Sequence, residues 1–137
     1  MTEYVVRDLH PRDHDAVYRF LSEEAYWSQG MPRAVFDKAI ASSTSVAAYA
    51  GDRLAGFARV VTDGATFAWL CDVFVLPEHR GNGVSKMLMD AVMARPDLGA
   101  VRNFMLATRD AHGLYAKYGF APIAEPGRWM AIRRPYR

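Results

Sequence analysis

Cys71 is the only cysteine in the chain. A single thiol cannot close an internal disulfide, so the fold must be held by its core and suits a reducing compartment. An excess of one charge sign is missing as well: 17 basic residues stand against 15 acidic ones, a formal net charge of +2. That balance argues against a general nucleic-acid or membrane-surface binder. No stretch approaches the ~18 consecutive apolar residues of a membrane span. The opening Met-Thr-Glu-Tyr-Val-Val-Arg-Asp lacks the basic-then-apolar pattern of a secretory leader, so the cytoplasm is the expected location. Repeats, low-complexity tracts and linkers are absent, which predicts one domain over residues 1–137. His10, His14, His79 and His112 do not cluster at ligand spacing, so no metal is expected. Arg133, Arg134 and Arg137 form a short basic end, either a solvated tail or a contact for an anionic ligand or partner.

What is there is globular. Apolar residues make up 51% and charged residues 23%, and 137 residues can bury roughly two thirds of the surface of the unfolded chain. Tyr4 to Asp8 reads as a strand, with β-branched Val5 and Val6. A helix opens at His10-Pro11 with the stripe Val17, Phe20 and Leu21, and a loop follows over Tyr26 to Gly30. A second helix begins after Pro32, carrying Val35, Phe36, Ala39 and Ile40 on one face. Val46 to Ala50 and Leu54 to Val61 form a hairpin on the Gly51-Asp52 turn. Asp63-Gly64 turns the chain into a long strand, Thr66 to Val75. A helix with the stripe Val84, Met87, Leu88, Ala91 and Val92 ends at Pro96. Next come a short strand over Phe104 to Ala107 and a helix from about Asp110 to Tyr118, capped by Gly119. Phe120 to Ile123 and Trp129 to Ile132 are candidates for final strands. The order predicts an α+β fold: a central mixed, mostly antiparallel sheet of six to seven strands flanked by about four helices. If the final strands are exposed, edge pairing could make a homodimer.

The most informative segment is Val73-Phe74-Val75-Leu76-Pro77-Glu78-His79-Arg80-Gly81-Asn82-Gly83-Val84-Ser85-Lys86. A strand ends at a proline, and a small-residue turn feeds directly into an amphipathic helix. The first amides of a helix have no internal acceptor, and with the helix dipole they attract a phosphate. Glycine allows positive φ and close approach. Two glycines four residues apart ahead of Lys-Ser/Thr, as in a Walker A loop, are absent. Lys86 stands where a dinucleotide fingerprint needs its third glycine.

Arg80-Gly81-Asn82-Gly83-Val84-Ser85 resembles the pyrophosphate-binding Gln/Arg-x-x-Gly-x-Gly/Ala motif of the GNAT superfamily of acyl-CoA-dependent N-acetyltransferases, with Ser85 departing at the last position. Leu114-Tyr115-Ala116-Lys117-Tyr118-Gly119-Phe120 is similar to the family's Leu-Tyr-x-x-x-Gly-Phe signature. Thr108 stands where the family often has Asn. The element order agrees over nearly the whole chain.

The resemblance implies acetyl-CoA as acyl donor. Residues Arg80, Gly81, Asn82, Gly83, Val84 and Ser85 would hold its pyrophosphate. The backbone of Val73, Phe74 and Val75 would pair with the pantetheine arm, and Thr108, Ala111 and His112 would flank the thiol end. It implies direct acetyl transfer to a primary amine of a small molecule or peptide, with Tyr115 as general acid. Tyr118 reads as structural. Asp72, the only carboxylate in the fourth strand, is either a base or a structural hydrogen-bonding group; alternation places it with Leu70 and Phe74. Tyr26, Trp27, Ser28 and Gln29, joined by Trp69, Trp129 and Met130, would line an aromatic acceptor pocket. The alternative is a CoA-binding sensor or interaction module with the same fold and no turnover.

Overall fold

The computed structural model describes residues 2–136; Arg137, counted above in the basic end, lies outside them. Strand β1 (Tyr4–Arg7) leads into a broken helix. A 3-10 turn (Pro11–Asp13) runs into α1 (His14–Arg19) and then a π-helical turn (Phe20–Glu24). The π turn closes with the Ala25 amide on the Phe20 carbonyl at 2.9 Å. Helix α2 spans Arg33–Ala41. Strands β2 (Thr44–Ala50), β3 (Arg53–Thr62) and β4 (Phe67–Val75) follow as a meander. Helix α3 (Val84–Met93), strand β5 (Asn103–Leu106) and helix α4 (His112–Ala116) complete the regular elements, apart from short 3-10 turns at Pro77–His79 and Pro126–Arg128.

The sheet has the order β1-β2-β3-β4-β5. The first three pairings are antiparallel, and β5 joins β4 in parallel after the α3 crossover. Each face carries helices. One core lies under α3, where Val84, Leu88, Met89 and Val92 meet Val46, Ala58, Val60, Ala68 and Leu70. The other lies under α1 and α2, where Val17, Phe20, Leu21 and Phe36 meet Ala47, Tyr49, Phe57 and Phe74. A fully buried side chain of this size contributes about 1.5–3 kcal/mol, so both faces are needed. Gly56 lets α3 sit close to the sheet: a Cβ there would stand 3.0 Å from the Phe74 carbonyl oxygen and 3.1 Å from both Leu88 and Val84.

Five strands form among the described residues, not six to seven. Phe120 to Ile123 and Trp129 to Ile132 join no ladder. Pro122 and Pro126 have no amide to donate, and Glu125 sits at φ 55, a conformation costly for a residue with a Cβ. The last helix is shorter than the predicted Asp110 to Tyr118, although Gly119 does adopt the expected left-handed cap, at φ 94. Val35, expected on the inner face of α2, is 41% exposed.

A second correction concerns Asp72. Val60 pairs with Leu70 and Arg59 with Asp72, so Cys71 is an extra, unpaired residue in β4. This β-bulge resets the alternation. Leu70 belongs to the α3 core, whereas Asp72 turns with Phe74 to the opposite face, under α1 and α2.

Candidate functional site

Strand β5 ends early. Its last pairing is Leu70 with Leu106, and Cys71 to Val75 of β4 continue with no partner on that side among the described residues. The strands therefore open into a notch. A cavity of about 390 Å³ lies at this notch, lined by β4 from Trp69 to Val73, by Leu106, Ala107, Thr108, Ala111 and Tyr115, and by the loop residues Tyr26, Trp27 and Ser28.

Local chemistry fixes the loop wall. The buried Ser28 hydroxyl donates to the Leu21 carbonyl at 2.7 Å. The Trp27 indole N–H donates to Asp72 Oδ1 at 2.7 Å. Tyr26 stands edge-on to Trp27, with ring centroids 5.1 Å apart, and is covered by the Arg109 guanidinium 3.9 Å from its centroid. Such a cation–π contact is worth about 0.5–1 kcal/mol at an exposed site.

Asp72 is 3% exposed, and both its oxygens are engaged. Arg59 Nε donates to Oδ2 at 2.7 Å, and Arg59 Nη1 donates to the Ser43 hydroxyl at 2.8 Å. A buried carboxylate survives only when paired and hydrogen-bonded, and this one is. Arg59 also lines the cavity. The sequence reading missed it, although a lone arginine inside the apolar run Leu54 to Val61 was the available signal. Cys71 faces the cavity, but burial pushes its thiol up to about 11, which keeps it protonated at neutral pH and unsuited to nucleophilic attack.

Tyr115 lines the cavity from α4. Burial, then the neighbouring Tyr26, raises its pKa, so the hydroxyl keeps its proton throughout the neutral range. Tyr118 is pinned elsewhere. Its hydroxyl lies 2.8 Å from Asp90 Oδ1 and 3.2 Å from the Lys86 carbonyl on α3, and burial followed by the Asp90 bond pushes it up to about 12. That is a structural clamp between α4 and α3.

The turn before α3 has the geometry of an anion cradle. Gly81 and Gly83 sit at φ 80 and φ 76, and a Cβ at either would meet no atom within 4 Å. The first helical amide to be returned is Met87, to the Gly83 carbonyl at 3.1 Å. Amides from Gly81 to Lys86 have no backbone acceptor among the described residues. Asn82 Nδ2 donates to the His79 and Arg80 carbonyls, and Arg80 Nε donates to the Val75 carbonyl at 3.0 Å, tying the turn to the end of β4. Val84 is buried under the turn as part of the α3 core, and Ser85 is half-buried beside it.

The remaining predicted site residues divide. Val73 and Thr108 line the cavity, and the Thr108 hydroxyl accepts the Ala111 amide at 3.0 Å, closing the turn that leads into α4. Phe74 points away, stacked on Phe20 at 4.0 Å, so only its backbone is near the notch. His112 lines a separate groove beside β5. Gln29 is exposed outside the cavity. Trp129 lies in a different cleft with Thr66, Phe67 and Arg102, and Met130 is 96% exposed; neither lines the cavity. Arg133 and Tyr136 from the same segment do. Among the described residues no three metal-ligating side chains cluster, and no helix is long and apolar enough to cross a membrane.

Comparison with known proteins gives a consistent result. The family model for the acetyltransferase (GNAT) domain matches residues 41–122. A crystal structure of a GNAT-family protein from Xanthomonas campestris pv. campestris is 48% identical, with a TM-score of 0.93 over 98% of this chain and 96% of that one. AAC(6')-Iy, solved in complex with the bisubstrate analogue CoA-S-monomethyl-acetylneamine, shares the fold at 21% identity. Its TM-score is 0.65 over 97% of this chain and 99% of its own. A Gibberella zeae protein with a provisional acetyltransferase name is 41% identical over 66 residues; the match spans 45% of this chain and only 36% of that protein.

Proposed function

The chain belongs to the GNAT acetyltransferase family and is an acyltransferase, and we propose that, acting as one domain over residues 1–137, it moves an acetyl group from acetyl-CoA to a primary amine of a small molecule or peptide. The observation that carries this reading is the pairing of two features on one sheet edge. The Gly81–Gly83 turn offers free amides at the N-terminus of α3, and the β4–β5 notch opens onto a cavity walled by Tyr115.

Gly81 and Gly83 leave the turn's amides open on one side and hold the positive φ that side chains rarely adopt, which suits the approach of a phosphate. Amides from Gly81 to Lys86 would hold the pyrophosphate, with the α3 dipole adding attraction. The unpaired edge of β4 around Val73 would pair with the amides of the pantetheine arm. Bound acetyl-CoA supplies an activated acetyl thioester. The acceptor amine must reach the cavity deprotonated and aligned, between aromatic Tyr26, Trp27 and Trp69 and the charged Arg59, Asp110 and Arg133. An edge N–H of β4 would stabilise charge developing on the carbonyl oxygen. Tyr115 would then give its phenolic proton to the departing sulfur, so that CoA leaves as the thiol, while the acetylated nitrogen sheds its extra proton to solvent and the phenolate regains one; the raised pKa keeps the phenol protonated at neutral pH.

Asp72 acts here by position. Its two oxygens already accept from Trp27 and Arg59, so taking a proton from the amine would break a buried ion pair. It holds both cavity-wall residues in place instead. AAC(6')-Iy was solved with an analogue joining CoA to an acetylated neamine, which makes amine-rich small molecules a sensible first set of acceptors.

Calorimetric titration with acetyl-CoA, using ATP and NAD as controls, tests the cradle. A thiol-release screen across amines, amino acids and peptides then tests transfer. Selective acetyl-CoA binding with amine-dependent thiol release is the expected result. Binding without release from any amine would favour a sensor, and absence of binding would remove the reading altogether.

A further inference from the structure

Arg59 reaches the cavity as more than a partner for Asp72. Its Nε donates to Asp72 Oδ2 and its Nη1 to the Ser43 hydroxyl, but Nη2 donates to no described residue. The side chain is only 13% exposed. Among the described residues every buried side-chain nitrogen or oxygen has a hydrogen-bond partner, so the unpartnered Nη2 must lie at an accessible surface. The cavity is the surface that Arg59 lines. A guanidinium fork locked on two sides thus keeps its third edge open to what the cavity holds.

A second cation joins it. Arg133 lines the same cavity from the C-terminal segment and enters no ion pair among the described residues. The segment is held in place, because Tyr136, also in the lining, packs where a Cβ on Gly30 would be 3.7 Å away. Asp72 balances one of the two guanidinium groups, so this wall keeps one uncompensated positive charge. The remaining charge of the lining is Asp110, in the turn between β5 and α4. It too enters no ion pair among the described residues. The lining is therefore positive from β3 and the C-terminal segment, and negative from the α4 side that also carries Thr108, Ala111 and Tyr115.

We propose that the acceptor is an amine that also carries a carboxylate, a free amino acid being the simplest case. The proposal rests on the acetyl-transfer reading above. It assigns the carboxylate to Arg59 Nη2 and Arg133, and the amine end to the side of Asp110 and Tyr115. A guanidinium edge matches the geometry of a carboxylate, and such charge-assisted bonds are about twice as strong as neutral ones. Asp110 draws in the ammonium form, which loses its proton to solvent before attack. An amine with a second positive charge would instead face two guanidinium groups, a like-charge contact that selects against it. Holding the carboxylate at one end aligns the amine at the other.

Matched substrate pairs test this. Each pair is an amino acid and its carboxamide, assayed by acetyl-CoA-dependent thiol release. The carboxamide makes the amine less basic, which alone favours the amide, so a preference for the acid reports recognition. kcat/KM should favour the acid by about ten- to hundredfold, the weight of a hydrogen bond to a charged group, and the gain should lie in KM. Arg133→Ala, at an exposed position, should erase most of that preference while acetyl-CoA affinity holds. Arg59→Lys, which keeps a charge beside Asp72 but loses the free edge, should lower it too. Calorimetry with the N-acetylated acid and its amide should give the same order in Kd with no turnover involved. Amides acetylated as well as acids, or a preference that survives both variants, overturns the proposal and leaves acetyl transfer standing. Thiol release from no amine at all removes the acetyl-transfer reading, and this proposal with it.

Discussion

Asp72 has a donor on each oxygen, and its removal should be felt first in stability. Asp72→Ala leaves Arg59, whose side chain is only 13% exposed, without its ion partner, which typically costs about 3–5 kcal/mol. Denaturant unfolding should show that loss, and intrinsic fluorescence should report a freed Trp27. Tyr115→Phe tests chemistry instead. Acetyl-CoA affinity by calorimetry should hold within about threefold while turnover drops by about 10²–10⁴-fold, the usual weight of a positioned acid; unchanged turnover would reduce Tyr115 to packing. Asp63 gives a pH test. Its carboxylate accepts from the Thr66 hydroxyl first and then from the Thr66, Ala65 and Phe67 amides, holding it well below the usual carboxylate range. A depressed folded pKa contributes stability above the unfolded value of about 3.9. The melting-temperature deficit of Asp63→Ala should therefore be full above about pH 4 and shrink as pH falls below it. At this scale the sequence named Tyr115, Trp27 and Asp72, but not Arg59 or Tyr136. Those two reach the cavity through tertiary placement: Arg59 by cross-strand register with Asp72, Tyr136 by return of the C-terminal segment to Gly30.

Elements were more legible than their faces. The meander, the Gly51-Asp52 hairpin and the α3 turn follow from alternation, turn residues and helix-start chemistry, all local signals. The π turn after α1 and the bulge at Cys71 depend on what the chain packs against, and local pattern carries no trace of that. The two missing strands looked like strands because their composition is apolar; a ladder also needs a partner, which composition cannot supply. Gly83→Asp should abolish acetyl-CoA binding by placing bulk and negative charge in the cradle. Gly83→Ala serves as control and should cost about 1–2 kcal/mol of stability for its left-handed backbone, as measured by chemical denaturation. Retained acetyl-CoA binding in a folded Gly83→Asp protein would move the site elsewhere.

At the scale of the whole molecule, the groove beside β5 and the 390 Å³ cavity share Tyr115 as a common wall. Tyr115→Ala should therefore join the two hollows, and turnover should fall further than in Tyr115→Phe while circular dichroism shows the fold kept.

The bulge at Cys71 also bears on how such a cavity can change over evolutionary time. A strand's side chains obey parity, and one supernumerary residue reverses it for everything downstream. Loss of the single codon for Cys71 would leave β4 of nearly the same length and composition. It would nevertheless send Asp72 and Phe74 toward α3 and turn Val73 and Val75 to the face of Trp27 and Arg59. An in-frame deletion of one triplet is thus a far larger step for this protein than most substitutions in the same strand, because it exchanges an entire wall of the cavity at once.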